Sequence, residues 1–325
     1  MSESPGDMPR RRLGAGGPIV SRIGLGMAAL GRPGYITLGH GDDFAGGRDA
    51  ESMRANAGRM LDAARAAGIS YVDAARSYGR AEEFLASWLA ERAPSDLTIG
   101  SKWGYTYTAE WTVDAEVHEV KDHSAEVFRR QLAESRDLLG DRLAVYQIHS
   151  ATLESGVLDD DVVLAGLAAL RDQGVIVGLT TSGPRQAEVI ERAITISRGG
   201  RPLFGTVQAT WNLLEVSAGP ALAAAHDAGF GVIVKEALAN GRLTERGSPP
   251  AALTNRAGSS PDALAIAAVL AQPWADVVLL GAATADQLTS NLRALAIGDG
   301  DLPDVAGFSE DPDVYWQRRA ALAWN

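Results

Sequence analysis

The chain has no cysteine, which removes disulfides, a thiol nucleophile and cysteine metal sites together. Lysine is almost as scarce. Lys102, Lys121 and Lys235 are the only three, and the other 27 basic residues are arginine. A lysine in such a chain carries more information than usual. No uninterrupted apolar run approaches the roughly 20 residues of a spanning helix, so no membrane partner is expected. The formal charge of −11 argues against nucleic acid or an anionic lipid surface as a partner. Five histidines are present, and only His118 and His123 share one loop, so no metal site is expected. Arg10-Arg11-Arg12 precedes a segment too short and Gly-rich for an export signal. Residues 1–17 read as a flexible tail and the protein as cytoplasmic.

What is present is a regular alternation. Strand-like apolar runs fall at residues 23–27, 69–74, 97–102, 143–149, 175–181, 206–211, 231–237 and 277–282. Helix-like runs fall between and after them, at 50–67, 80–93, 125–139, 160–173, 185–197, 220–228, 261–271 and 285–296. In the first helix Met53, Ala57, Met60, Leu61 and Ala64 keep helical spacing up to Gly68. Strict alternation argues for a parallel sheet, and eight units in about 280 residues is the count of a (β/α)8 barrel. The rival, a doubly wound open sheet, would carry a third glycine after Gly24-Leu-Gly26, where the sequence has Ala29 instead. The expectation is one α/β domain, a (β/α)8 TIM barrel over 18–297, with long loops at the C-terminal face. Such loops are read at 31–47, at 104–124, and at 239–260 with Arg242, Arg246 and Arg256. Residues 298–325, with Tyr315, Trp316 and Trp324, form an extension packed on the barrel, either across its mouth or as a surface helix.

Four polar residues end three successive strands or follow them closely: Asp73, Tyr78, Lys102 and His149. In a barrel those ends are neighbours on the face that carries active sites. Each alone has a plainer explanation: a strand-end cap, a half-buried aromatic, a core histidine. Together they make an acid–base site. A free phenol ionises near pH 10, and a lysine beside it favours the phenolate. Asp73 would hold Lys102, Tyr78 would give or take the proton, and His149 would orient the substrate oxygen.

The stretch Tyr71-Val-Asp-Ala-Ala-Arg-Ser-Tyr-Gly-Arg-Ala-Glu82 resembles the aldo-keto reductase signature. The similarity continues through Lys102, His149, Gln208 with Trp211, and Gly281 with Gln287 and Asn291. It implies an oxidoreductase with a nicotinamide cofactor across the barrel mouth, and the four residues above as its catalytic set. It further implies cofactor contacts from Met27, Thr180, Thr181, Gln208, Lys235, Glu236, Ala237, Leu238, Asn240, Gly241, Gly281, Gln287 and Asn291. Thr181 stands where the family has Asn, and Lys235 where an aromatic often stacks on the nicotinamide. The family as a whole points to NADP(H). Gly281 and Gln287 supply no charge for a 2′-phosphate, which leaves NAD open, with Arg242 or Arg293 as possible compensation.

The expected function is therefore interconversion of a small carbonyl compound (aldehyde, ketone or sugar) and its alcohol by hydride transfer. Two alternatives share the site: an NAD-dependent sugar or alcohol dehydrogenase, and a cofactor-binding regulatory barrel without turnover. Substrate identity and oligomeric state have no readable code in the sequence.

Overall fold

The computed structural model describes residues 8–254, 259–303 and 307–325. Among them eight parallel strands close a barrel. They are β1 (Ile23–Gly26), β2 (Tyr71–Asp73), β3 (Thr98–Trp103), β4 (Leu143–Ala151), β5 (Ile176–Thr181), β6 (Thr206–Thr210), β7 (Gly231–Lys235) and β8 (Val277–Leu280). Each pairs with the next in sequence, and β8 returns to β1 with Val278 opposite Ile23. The helices between them are α1 (Ala50–Ala66), α2 (Ala81–Arg92), α3 (Ala125–Leu139), α4 (Asp161–Asp172), α5 (Gln186–Ile194), α6 (Gly219–Asp227), α7 (Pro261–Leu270) and α8 (Ala285–Leu292). All eight units fall where the periodicity puts them, with ends moved by at most four residues.

Local chemistry explains the starts and stops. Asp49, Ser124, Asp160 and Thr284 cap α1, α3, α4 and α8, each accepting from backbone N–H groups of the first turn. Gly174 follows α4 at φ 94°, a left-handed conformation that lets the chain reverse within three residues into β5. The strands bury both faces, so they read as apolar runs rather than alternations.

Residues 10–17 correct the expected flexible tail. Arg10–Arg12 pair antiparallel with Ile19–Ser21 in a hairpin across the N-terminal end of the barrel. Its Leu13 is 1% exposed and clusters with Val20, Tyr71, Val145, Ile233 and Val277. The hairpin stoppers the barrel because the interior there is apolar and would otherwise meet water. Gly14 sits so close to β7 that a Cβ on it would meet the Gly231 nitrogen at 2.5 Å. Residues 1–7 of that tail, and Arg256 in the loop after β7, lie outside the described residues.

The long loops converge on the opposite end. The loop after β3 folds back as an antiparallel pair, Tyr105–Tyr107 with Glu119–Lys121. The C-terminal stretch takes the mouth-crossing course. Helix α9 (Pro312–Ala320) buries Tyr315 and Trp316 against Leu213, Leu243, Leu253 and Leu264. The chain then runs over the barrel mouth to Asn325, whose backbone pairs with Tyr35 in both directions at 3.3 Å.

Candidate active site

Asp73 closes β2 and Lys102 lies near the end of β3, where Asp73 pairs in register with Gly100. Gly100 leaves room there: a Cβ on it would meet the Tyr71 hydroxyl at 2.4 Å. Lys102 reaches Asp73 in a short contact, the Ala74 carbonyl at 2.8 Å and the Tyr78 hydroxyl at 3.2 Å. Three acceptors match the three protons of an ammonium group. Gln208, from β6, donates to the other Asp73 oxygen at 2.9 Å. Burial pushes Asp73 up and Lys102 down, towards neutrality, and their mutual contact opposes both shifts. Tyr78 sits edge-on to His149, with ring centroids 5.5 Å apart. The four residues singled out from strand ends are thus brought together in space.

The phenol behaves differently from expectation. Burial and the Asp73 charge hold Tyr78 well above the usual phenol range. The Arg32 guanidinium opposes the rise without reversing it. His149 is driven well below the usual imidazole range by burial and by Lys102, so its ring is neutral. Its Nδ1 lies 3.3 Å from the Ser77 hydroxyl. His123, on the loop after β3, contacts the His149 carbonyl oxygen at 2.8 Å and braces it from behind.

Tyr78, His149, Asp73 and Gln208 line a cavity of about 310 Å³. A second cavity of about 490 Å³ adjoins it, and the two share Ala29, Tyr35, Glu236, Leu279 and Gly281. They form one groove along the mouth. Lys235 and Glu236 line the first, and Ala237, Leu238, Asn240, Gly241, Gln287 and Asn291 line the second. Three expected contacts lie off the groove. Met27, Thr180 and Thr181 are fully buried, and the Thr180 hydroxyl accepts from Ser150 N at 2.7 Å. Ser182, one residue further along, lines the cavity in their place.

Loop residues carry the rest of the wall, and strand-end reasoning had no means of finding them. Arg32 is 3% exposed and pairs with Glu119 at 2.9 Å. Its guanidinium lies over Tyr35, Tyr78 and Trp324, at 5.0, 5.3 and 4.6 Å from the ring centroids. Trp324 stacks on His118 on its far side, at 4.0 Å and 5°. Three remote segments therefore meet over the phenol.

Lys235 donates to the Thr210 hydroxyl at 2.9 Å and stays 3.9 Å from Glu236. Burial lowers it to about 8. Glu236 is held chiefly by Arg319 of α9, whose Nε lies 2.9 Å from both carboxylate oxygens. Burial works to raise the Glu236 carboxyl, but Arg319 and Lys235 overcome it and bring it from 4.5 to about 2. A depressed carboxyl contributes stability that is complete above the unfolded value and fades as pH falls towards the folded one. We expect Glu236→Gln to be less stable than the parent at pH 7. The difference should shrink between pH 4.5 and about 2, as read by urea unfolding at each pH. A difference independent of pH in that window would show that the Arg319 contact is not ionic.

The aldo/keto reductase family model matches residues 22–304. Among curated proteins, the aldo-keto reductase str7 of Strobilurus tenacellus is 33% identical over 103 residues, which is 30% of this chain and 26% of that protein. An uncharacterized oxidoreductase of Mycobacterium tuberculosis is 31% identical over 157 residues, 48% of this chain and 40% of that protein. The alignments thus span less than half the length of these relatives. An aldo-keto reductase from Bacillus halodurans, solved in its holo form, superposes with a TM-score of 0.68 at 20% identity, covering 96% of each chain. That likeness establishes the (β/α)8 fold. The family match extends over all eight strands and the loops between them, and the chain belongs to the aldo/keto reductase family.

Proposed function

We propose that the protein is a nicotinamide-dependent oxidoreductase that interconverts a small carbonyl compound and its alcohol, with Tyr78 as the general acid/base. One observation carries this reading: Lys102, anchored on Asp73 beneath the cavity, places its ammonium 3.2 Å from the Tyr78 hydroxyl, and Tyr78 and His149 line that cavity together.

The groove fits a dinucleotide. Its two connected cavities exceed what a single-ring ligand needs. The second is lined by polar side chains suited to a nucleotide, among them Asn240, Gln287, Ser290 and Asn291. Gln208, Lys235, Glu236 and Gly281 would hold the nicotinamide half, and Asn240, Gly241, Gln287 and Asn291 the other. Bound there, the cofactor supplies the hydride. Lys235 in place of an aromatic face means that this wall contributes charge rather than stacking.

The chain's own residues handle the oxygen and its proton. In the tautomer with its proton on Nε2, the neutral His149 would accept from Ser77 at Nδ1 and could donate to a carbonyl oxygen. Tyr78, kept protonated by burial, gives its proton to that oxygen as negative charge develops there. Lys102 then stabilises the phenolate left behind. Oxidation would follow the same path backwards, with the phenolate taking the alcohol proton.

The test is label transfer. Reduced nicotinamide deuterated at C4 is incubated with the protein and a panel of aldehydes, ketones and aldoses. We expect one deuterium on the carbinol carbon of the product. If the labelled cofactor binds and no carbonyl is reduced, the barrel is a cofactor-binding protein without turnover.

A further inference from the structure

Resting on the reading that the groove holds a nicotinamide dinucleotide, we infer that the protein selects the non-phosphorylated form, NAD(H). The half of the groove remote from Tyr78 offers acceptors to a ribose diol and no uncommitted cation cluster to a 2′-phosphate. The reacting half of the cofactor must lie by Tyr78 and His149, so the adenosine half occupies the adjoining cavity. Besides Glu236, whose charge Arg319 neutralises, four carboxylates, Asp43, Glu245, Asp262 and Asp286, line that cavity against two guanidinium groups, Arg246 and Arg293. Its one imidazole, His40, is held neutral by burial, at about 4.

The cations there are largely spoken for. Arg246 pairs with Asp43 and donates to the Gly39 carbonyl at 2.9 Å. Gln287 donates to the same Asp43 oxygen at 2.8 Å and accepts from Ala283 N at 2.8 Å, so both ends of its amide are engaged. Arg242, the other arginine of that loop considered as a phosphate partner, faces away and is bound by Glu310 at 2.6 Å. Gly281 contributes only open space: a Cβ on it would meet nothing within 4 Å. Among the described residues, Arg293 is left as the one lining cation without a carboxylate partner, and Glu245 and Asp286 line the same cavity.

A ribose diol is recognised well by a carboxylate that accepts its hydroxyl protons, whereas a 2′-phosphate needs arginine or lysine. A wall with two excess negative charges raises the cost of bringing a dianion to it.

The experiment is a binding titration of the full chain with NADH and with NADPH, read by tryptophan quenching and nicotinamide fluorescence, so that turnover plays no part. NADH should bind at least about tenfold tighter, and the gap should narrow as salt rises and screens the repulsion. The double variant Glu245→Gln, Asp286→Asn should lower the ratio by about threefold or more, chiefly by tightening NADPH. Equal or tighter binding of NADPH by the parent protein overturns the inference and leaves the oxidoreductase reading standing. So does a ratio that the double variant does not move. Binding of neither form removes both.

Discussion

Tyr78→Phe should retain the fold and the cofactor affinity and lose carbonyl reduction by about 10²- to 10⁴-fold in kcat, the range for removing a positioned acid. The substitution is close to isosteric. The ring still meets His149 edge-on and still lies under Arg32. Lys102 loses one of three acceptors and keeps Asp73 and the Ala74 carbonyl, so the stability cost is about 0.5–1.5 kcal/mol. A loss confined to KM would mean that the hydroxyl only binds substrate. Activity within about threefold of the parent would mean that the proton comes from elsewhere, and the assignment of Tyr78 would fall. The pH profile adds a second reading. Because the phenol is held above its ordinary range, the rate of reduction should show no decline from Tyr78 ionisation up to about pH 10. A decline near 8 would trace to Lys235 and should persist in a Lys235-containing Tyr78 variant with residual activity.

The barrel and the four polar residues were legible in the sequence for one physical reason. Parallel strands buried on both faces are apolar to their ends, so a charge such as Asp73 or Lys102 at the end of a run stands out. The scarcity of lysine sharpened that signal. Asp73 and Lys102 come from adjacent strands, and the parallel pairing of β2 with β3 turns their sequence separation into contact. Arg32, Glu119, Arg319 and Trp324 had no such signal. They lie on loops and on the C-terminal helix, where no period constrains the pattern, and in a chain with 27 arginines a single Arg32 is unremarkable. Their meeting over Tyr78 depends on the loop path, which only tertiary structure supplies. The hairpin at the barrel floor was missed for a related reason. Leu13 is a lone apolar residue among arginines and glycines, too short a signal for a strand, yet it seals the interior. Thr180 and Thr181 were placed by resemblance alone, and a displacement of one residue to Ser182 is enough to move a side chain from beneath the groove to its wall.

Lys102→Met should be the most damaging substitution of the site for stability, and the way it damages separates chemistry from scaffolding. It strands Asp73, 1% exposed, with Gln208 as its remaining side-chain donor. Removing one partner of a buried pair costs about 3–5 kcal/mol, because the other charge is left desolvated. The carboxyl would escape by binding a proton. Its folded value would then lie further above the unfolded one, so the folded state holds more protons than the unfolded chain between the two. The variant should therefore be most stable in acid and lose stability as pH rises through the raised carboxyl value, the opposite of a salt-bridged carboxylate. Urea midpoints across pH 4–8, an interval bracketing ordinary and raised carboxyl values, would show it. The double variant Asp73→Asn, Lys102→Met removes the stranded charge and keeps an acceptor for Gln208, so most of the stability and the flat pH dependence should return. Activity should not. Tyr78 would stand with no ammonium at its oxygen to receive the phenolate, and reduction should stay depressed by about 10²-fold or more. If the double variant recovers reduction along with stability, the Lys102–Asp73 pair serves only to build the barrel end, and the proton transfer runs without it.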